Sequence, residues 1–145
     1  MTEALTLNHV ADAMQDIDIA IMSTHSPGDA ITSRPMSNNS DVRFDGTSYY
    51  FSQEDAQCVK DIARKKQVAL GFSSGEGIFS SATYVVVEGE AELIRDKSAF
   101  QKHWNPDLDE WFEQGADTPG LVLIKVRARK AKIWERNQER EFVFP

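Results

Sequence analysis

The chain has 145 residues, 41% hydrophobic and 27% charged, which suffices for a single domain over residues 1–145 with a buried core. Its net charge of −7 disfavours broad attraction to nucleic acid or anionic membranes. Cys58 is the one cysteine, so no internal disulfide forms, and we expect a cytoplasmic protein. No apolar run approaches the ~18 residues that span a bilayer, and no secretory signal is expected.

The first part of the chain predicts a helix followed by a strand hairpin. Apolar residues at helical spacing predict a helix over 8–16, with Asn8 as its N-cap. Residues 17–24 and 30–38 predict two strands, and the Ser-Pro-Gly-Asp turn signal at 26–29 joins them.

The middle of the chain predicts a third strand and a second helix. A polar turn region over 39–46 leads into an aromatic strand over 48–52. Ser52 or Asp55 would cap the next helix. Lys60 lies near the start of that helix, on a different face from its buried apolar stripe.

The following segment predicts two more strands and a short helix. Residues 67–73 and 84–94 read as strands, and Gly89 in the middle of the second indicates a bulge or a sharp bend. Asp96 is expected to cap a short helix that ends near His103.

The last part of the chain predicts another helix and a long strand. Leu108, Trp111 and Phe112 form a helical stripe, and a strand over 121–134 follows with alternate residues facing inward. Six strands joined mostly by short turns favour an antiparallel sheet, and we expect this sheet to close into a barrel because closure removes its edges. The predicted fold is therefore mainly β, of the α+β kind, with short flanking helices.

The segment Ser33-Arg34-Pro35-Met36 has two interpretations. It is either an edge strand that tolerates a proline or a strand whose free backbone groups contact a ligand. Arg34 could bind a phosphate as a fork. Lys60 is either a solvated helix charge or part of a phosphate site at a helix N-terminus.

Other residues give weaker signals. His9, His25 and His103 are scattered, so we expect no metal site. Cys58 has no second cysteine or adjacent histidine, which favours a small helix residue over a nucleophile. The chain also has no glycine-rich nucleotide-binding loop.

The order and spacing of several motifs resemble the pyridoxamine 5′-phosphate oxidase-like family of FMN-binding split barrels. In the first half these motifs are Thr32-Ser33-Arg34-Pro35-Met36, Asp45-Gly46, Tyr50-Phe51-Ser52 and Lys60. In the second half they are Trp104-Asn105-Pro106, residues 110–119, residues 121–126 and residues 131–135, which look like the bacterial general-stress-protein branch.

The resemblance implies a six-stranded antiparallel split β-barrel that forms a homodimer, with FMN in two clefts at the dimer interface. It also implies which strand residues contact FMN. Ser33, Arg34, Pro35 and Met36 would line the ribityl chain and ring edge, with Arg34 reaching the phosphate. Lys60 matches the family's phosphate-binding lysine.

The resemblance also assigns residues to the flavin ring. Phe51 and Ser52 match an aromatic-then-hydroxyl pair at the flavin. Tyr84 falls where the partner subunit touches the ring, and Trp134 matches a C-terminal tryptophan that approaches it.

The chain departs from the family pattern at two places. Cys58 stands where a serine is common before the phosphate-binding lysine, and the spacing from Ser52 to Lys60 is longer than usual. The tail over 136–142 keeps Arg140 but lacks the histidine of the substrate-binding motif of true pyridoxamine phosphate oxidases. We therefore expect FMN binding without efficient vitamin B6 oxidation.

The leading hypothesis is an FMN-dependent oxidoreductase acting on a small-molecule redox substrate, such as a nicotinamide cofactor. No residue stands out as a catalytic acid or base. A second hypothesis is a non-catalytic flavin-binding stress protein that serves as carrier or redox sensor. A third is that the same barrel takes haem or a deazaflavin, although the histidines lie in no recognisable haem motif.

Overall fold

The structure is a computed structural model that describes residues 4–38, 43–74, 82–135 and 137–145. Its α-helices are α1 (Leu7–Gln15), α2 (Gln57–Arg64) and α3 (Lys97–His103). Its strands are β1 (Ile19–Ser26), β2 (Ala30–Ser37), β3 (Thr47–Gln53), β4 (Gln67–Ser73), β5 (Thr83–Ile94), β6 (Leu121–Glu135) and β7 (Gln138–Val143). Short 3-10 helices span Pro106–Glu110 and Gly115–Asp117.

The strands form one antiparallel sheet in the order β2-β1-β4-β5-β6-β3. Within the described residues no ladder joins β2 to β3, so the sheet stays open between its two end strands. The closed barrel expected from the strand count is therefore wrong, and the split barrel implied by the resemblance is confirmed. Pro35 lies on the end strand β2, the kind of strand in which a residue without a backbone N–H is tolerated.

All six predicted strands are present, with ends shifted by at most two residues. The seventh strand, β7, pairs with the C-terminal half of β6 and departs from the expected six. Its sequence places Glu139, Arg140 and Glu141 in succession, so it has no apolar alternation that would mark it as a strand. Its pairing with β6 determines its conformation.

The core lies inside the curved sheet, under α1 and α2. The predicted inward residues of the last strand are buried, from Val122 through Ile124 and Val126 to Ala128. A second, smaller cluster packs on the other side of β6, beneath α3 and the 3-10 helices. Its buried members are Phe51, Phe100, Leu108, Leu121 and Leu123.

Gly89 marks the predicted bulge in β5. The register between β5 and β6 shifts between Glu88 and Gly89, which confirms the prediction. A Cβ atom at Gly89 would lie 2.3 Å from the carbonyl oxygen of Arg127, so the two backbones approach too closely for any side chain there. Gly89 thus sets where the long strand bends.

The helix starts differ from the predicted ones. Thr6, not Asn8, caps α1, because Thr6 and the side chain of His9 close a capping box around the first turn. Neither Ser52 nor Asp55 caps α2, whose N-cap position holds Ala56. The prediction that Asp96 caps α3 is confirmed by its bond from the Ser98 N–H.

The helix expected around Leu108, Trp111 and Phe112 is wrong, because this stretch is a 3-10 helix followed by turns. Leu108 is buried, but Trp111 is 57% exposed and so does not share a buried stripe. The predicted polar turn over 39–46 falls partly outside the described residues. In the part of the chain that the structure describes, no helix is long and apolar enough to cross a membrane.

Candidate functional site

A cleft of about 520 Å³ opens at the split in the barrel, between the end strand β2, the end of β3 and the start of α2. Six of the nine predicted cofactor-binding residues line it: Ser33, Arg34, Pro35, Met36, Phe51 and Ser52. The structure therefore brings together the two strand motifs that the sequence separates by a turn.

The walls of the cleft combine a polar strand edge with aromatic surface. Thr32 contributes a hydroxyl from β2, and Ser52 contributes another from β3. Phe51 is nearly buried because its ring packs edge-on against Trp104, with ring centroids 5.0 Å apart. Trp111 stands at the cleft with more than half of its surface exposed, so it is free to cover a flat ligand.

The N-terminus of α2 faces the cleft through Ala56, Gln57 and Cys58. Ala56 has no side-chain acceptor for the first-turn N–H groups, and no acidic residue lies in that turn. These donors and the positive end of the helix dipole suit an anion. The Cys58 Sγ lies 3.5 Å from the Ser52 Oγ, so both side chains belong to this end of the cleft.

Lys60 does not line the cleft with the other predicted residues. It lies two positions after Cys58, which places its side chain about 200° further round the helix. Cys58 is buried at the cleft, whereas Lys60 is exposed to solvent. The phosphate role that the resemblance implies for Lys60 therefore has no geometric support within one chain.

Arg34 lies behind the cleft rather than extending freely into it. Its Nη1 donates to the Thr24 Oγ1 at 2.8 Å and to the Met22 carbonyl at 3.3 Å. Its Nη2 lies 3.8 Å from the Asp61 Oδ2, and only 18% of its side-chain surface is exposed. The guanidinium is thus held by the protein's own groups.

Asp61 is the acidic partner of Arg34. It is fully buried on α2 and accepts hydrogen bonds from Thr24 Oγ1 at 2.7 Å, Ser26 Oγ at 2.7 Å and Gln57 Nε2 at 2.8 Å. Burial alone would raise the pKa of Asp61, but these three hydrogen bonds and the charge of Arg34 together lower it below its ordinary value. Asp61 is therefore an ionised carboxylate.

Tyr84 and Trp134 lie elsewhere on the molecule. They are direct neighbours on β5 and β6 and line a separate depression with Gln138 and Glu139. Neither residue is among those that line the cleft, which come from β2, β3, the start of α2 and the segment with Trp111 and Phe112. One chain does not bring these two aromatic residues to its own cleft.

The histidines are spread over the fold. His9 caps α1, His25 lies on β1, and the ring of His103 stacks on Tyr49 at a centroid distance of 3.8 Å. None of the three lines the cleft. Among the described residues, no group of three or more His, Cys, Asp or Glu side chains is placed to hold a metal ion.

Sequence reasoning misses Gln57, Trp111 and Asp61 as cleft or near-cleft residues. One signal was available for two of them. Gln57 and Asp61 are four apart on one helix, so they share a face, and Asp61 lies between buried Val59 and Ile62. A carboxylate within an apolar stripe needs partners from elsewhere in the fold.

An open antiparallel barrel with a cleft at its split defines a split-barrel protein. The chain belongs to the pyridoxamine 5′-phosphate oxidase like family, whose model matches residues 6–144. The family expected from the sequence motifs is thereby confirmed. A search of curated proteins gave no significant match.

Solved structures share the fold at low sequence identity. A Clostridium acetobutylicum protein related to general stress protein 26 is 14% identical with a TM-score of 0.79, covering 94% of this chain and 93% of its own. General stress protein 26 from Bacillus anthracis is 22% identical with a TM-score of 0.71, covering 92% and 94%. A haem-binding protein from Mycobacterium smegmatis is 9% identical with a TM-score of 0.74, covering 98% and 60%.

Proposed function

We propose that the cleft binds FMN and that the protein is a flavin-dependent oxidoreductase with a small-molecule redox substrate. The observation that carries this proposal is the cleft itself, where an aromatic wall and an uncapped helix start meet across a polar strand edge. FMN has matching parts: a flat ring system, a chain of hydroxyls and a phosphate. Membership in the pyridoxamine 5′-phosphate oxidase like family supports the assignment.

The residues present suit this ligand. Ser33 and Pro35 on the end strand border the cleft beside Met36, and Phe51 and Ser52 face them from β3. The first turn of α2 supplies N–H donors for the phosphate. When bound, FMN supplies hydride or electron transfer, while the protein provides binding, orientation and exclusion of water.

The cleft offers little acid–base chemistry of its own. Among the described residues that line it, Arg34 and Cys58 are the titratable ones. An arginine side chain does not serve as a proton donor or acceptor in proteins, and Cys58 is buried. A substrate that delivers a hydride directly, such as a nicotinamide nucleotide, needs no proton-transfer residue and therefore fits this lining best.

The proposal includes a homodimer. Ile19, Ile21, Ile31 and Tyr84 are exposed apolar residues on the outer face of the sheet. Exposed apolar residues that share one face of a sheet suit a protein interface. A second copy packed on this face would bring its own Tyr84 towards the cleft, which a single chain cannot do.

The family's namesake reaction is not proposed for this chain. Arg140 is the one tail residue that matches the substrate motif, and here its Nη1 donates to the Leu5 carbonyl at 2.6 Å. Its guanidinium also lies 4.7 Å from the centre of the Phe142 ring. Arg140 thus ties β7 to the N-terminal segment.

Flavin titration tests the proposal. We expect purified protein to quench flavin fluorescence with one FMN per chain and then to oxidise NADH or NADPH steadily. Trp111→Ala should weaken FMN about tenfold, since an aromatic contact contributes about 0.5–1.5 kcal/mol beyond its buried area. Trp111→Phe is the matched control and should keep most of the affinity. No FMN binding, or a Soret band in the purified protein, would overturn the proposal.

The alternative is a flavin carrier or redox sensor without turnover. The cleft lining has few acid–base groups, and this fits a carrier as well as it fits an enzyme whose substrate donates a hydride directly. The two are separated by one measurement. Tight FMN binding with NADH and NADPH oxidation no faster than that of free FMN would identify the carrier.

A further inference from the structure

A buried ion pair lies directly behind the cleft wall. Arg34 lines the cleft, but its Nη2 points back to within 3.8 Å of the Asp61 Oδ2, and this nitrogen has no hydrogen-bond partner within the described residues. Nη1 is occupied by Thr24 and Met22. Both terminal nitrogens of the guanidinium therefore point towards groups of the protein itself: the Asp61 carboxylate, the Thr24 hydroxyl and the Met22 carbonyl.

Asp61 is built to remain charged. Thr24, Ser26 and Gln57 each donate to it, and its side chain is completely buried. Gln57 also lines the cleft, so this one side chain contacts both the Asp61 carboxylate and the ligand site. The three donors keep the Asp61 carboxylate negative, and this negative charge cancels the positive charge of the neighbouring Arg34 guanidinium.

Within one chain, the described residues at the phosphate end of the cleft therefore carry no net positive side-chain charge. Arg34 is the one cationic residue among the described lining residues, and Asp61 neutralises it. Lys60 is exposed and lies outside the lining. What remains for an anion is the uncapped start of α2 and neutral hydroxyl and amide groups.

We propose that Asp61 determines the ligand specificity of the cleft by cancelling the charge of Arg34, so that flavins with and without a phosphate bind with similar affinity. This inference rests on the proposed flavin function. Riboflavin and FMN share the ring and ribityl chain and differ only in the phosphate, which carries about −1.5 to −2 charges at pH 7. Without a net cationic side chain, the phosphate gains hydrogen bonds and only the weak attraction of the partial charge at the start of α2.

Paired titrations test the inference. Riboflavin and FMN are titrated into the full-length protein at pH 7 and followed by flavin fluorescence. We expect the two dissociation constants of the wild type to agree within about tenfold, and FMN affinity to change less than about threefold between low and high salt. Asp61→Asn frees the charge of Arg34 and should raise the preference for FMN at least tenfold.

Asp55→Asn is the matched control. Asp55 is exposed and lies just before α2, so its removal changes the net charge equally without touching the ion pair. We expect it to shift the FMN preference less than about threefold, because solvent screens an exposed charge. Circular dichroism establishes that both variants are folded.

Three results would overturn the inference: a wild-type preference for FMN above about tenfold, a strong salt dependence of FMN alone, or an Asp61→Asn variant with unchanged preference. If Asp61→Asn does not fold, the two wild-type measurements still decide. Failure of the proposed function gives a different result, because then neither riboflavin nor FMN binds.

Discussion

Placing a charge on the outer sheet face tests the proposed homodimer most directly. Ile21 lies on β1, next to Gly71 of β4, and 45% of its surface is exposed in the single chain. In a twofold interface each substitution occurs twice. Ile21→Lys would therefore remove two apolar contacts and add two ammonium groups to the same interface.

The magnitude follows from the exposed fraction. Full burial of an isoleucine contributes about 1.5–3 kcal/mol, so burying the exposed 45% contributes about 1 kcal/mol in each copy. Two copies give about 2 kcal/mol, which weakens the dimer about thirtyfold. Desolvation of the two ammonium groups increases this loss.

The assay is size-exclusion chromatography with light scattering over a range of protein concentrations, together with FMN titration. Leu7→Lys is the matched control, because Leu7 is 47% exposed but lies at the start of α1, away from the sheet face. We expect Ile21→Lys to dissociate and to lose FMN affinity, while Leu7→Lys behaves as the wild type.

Two outcomes would refute this reasoning. If Ile21→Lys remains a dimer at the same concentrations as Leu7→Lys, the sheet face is not the interface. If it becomes a monomer that binds FMN as tightly as the wild type, the cleft does not need a second copy.

Three further predictions concern the fold and the charges near the cleft. Gly89→Ala should destabilise the protein by about 3 kcal/mol in urea unfolding, since its Cβ would clash with Arg127, whereas Gly71→Ala, with its nearest atom at 3.9 Å, should change little. Lys60→Ala should leave the FMN dissociation constant within about twofold, because the side chain lies outside the cleft. The lowered pKa of Asp61 means that its stabilisation is present above its ordinary value of 3.8 and is lost as the pH falls below it. The urea midpoints of the wild type and Asp61→Asn should therefore converge on acidification.

Local patterns carry much of this fold. Val122, Ile124 and Val126 are inward residues that simple alternation predicts, because a strand places every second side chain on the same face. Gly89 is also readable, since a glycine inside an alternating strand indicates a bulge. These features depend on neighbours in sequence, and no distant partner is needed to infer them.

Features that depend on distant contacts are not readable in the same way. The charged segment β7 is a strand because its backbone pairs with that of β6. Asp61 receives its hydrogen bonds from Thr24 and Ser26, which are 37 and 35 residues earlier in the chain. The phosphate role of Lys60 stays a prediction from the resemblance, because Lys60 is exposed and does not line the cleft of a single chain.

The helix starts show how close such alternatives can be. Asn8 and Thr6 are both good N-cap residues, and the sequence alone does not rank them. The side chain of His9 decides, because it bonds back to Thr6 and closes the capping box there, two residues before Asn8. For α2, two suitable capping residues precede the helix and neither is used, which leaves its first turn open to the cleft.

The central position of β6 sets the order in which the protein can be completed on the ribosome. β6 pairs with β5, β3 and β7, so β3 has to wait for a partner that is synthesised much later. Arg140 then fixes Leu5 across 135 residues, once β7 has also emerged. Because β3 forms one wall of the cleft, a nascent chain has no complete cleft before β6 is made, and loading of any ligand there follows synthesis of nearly the whole domain.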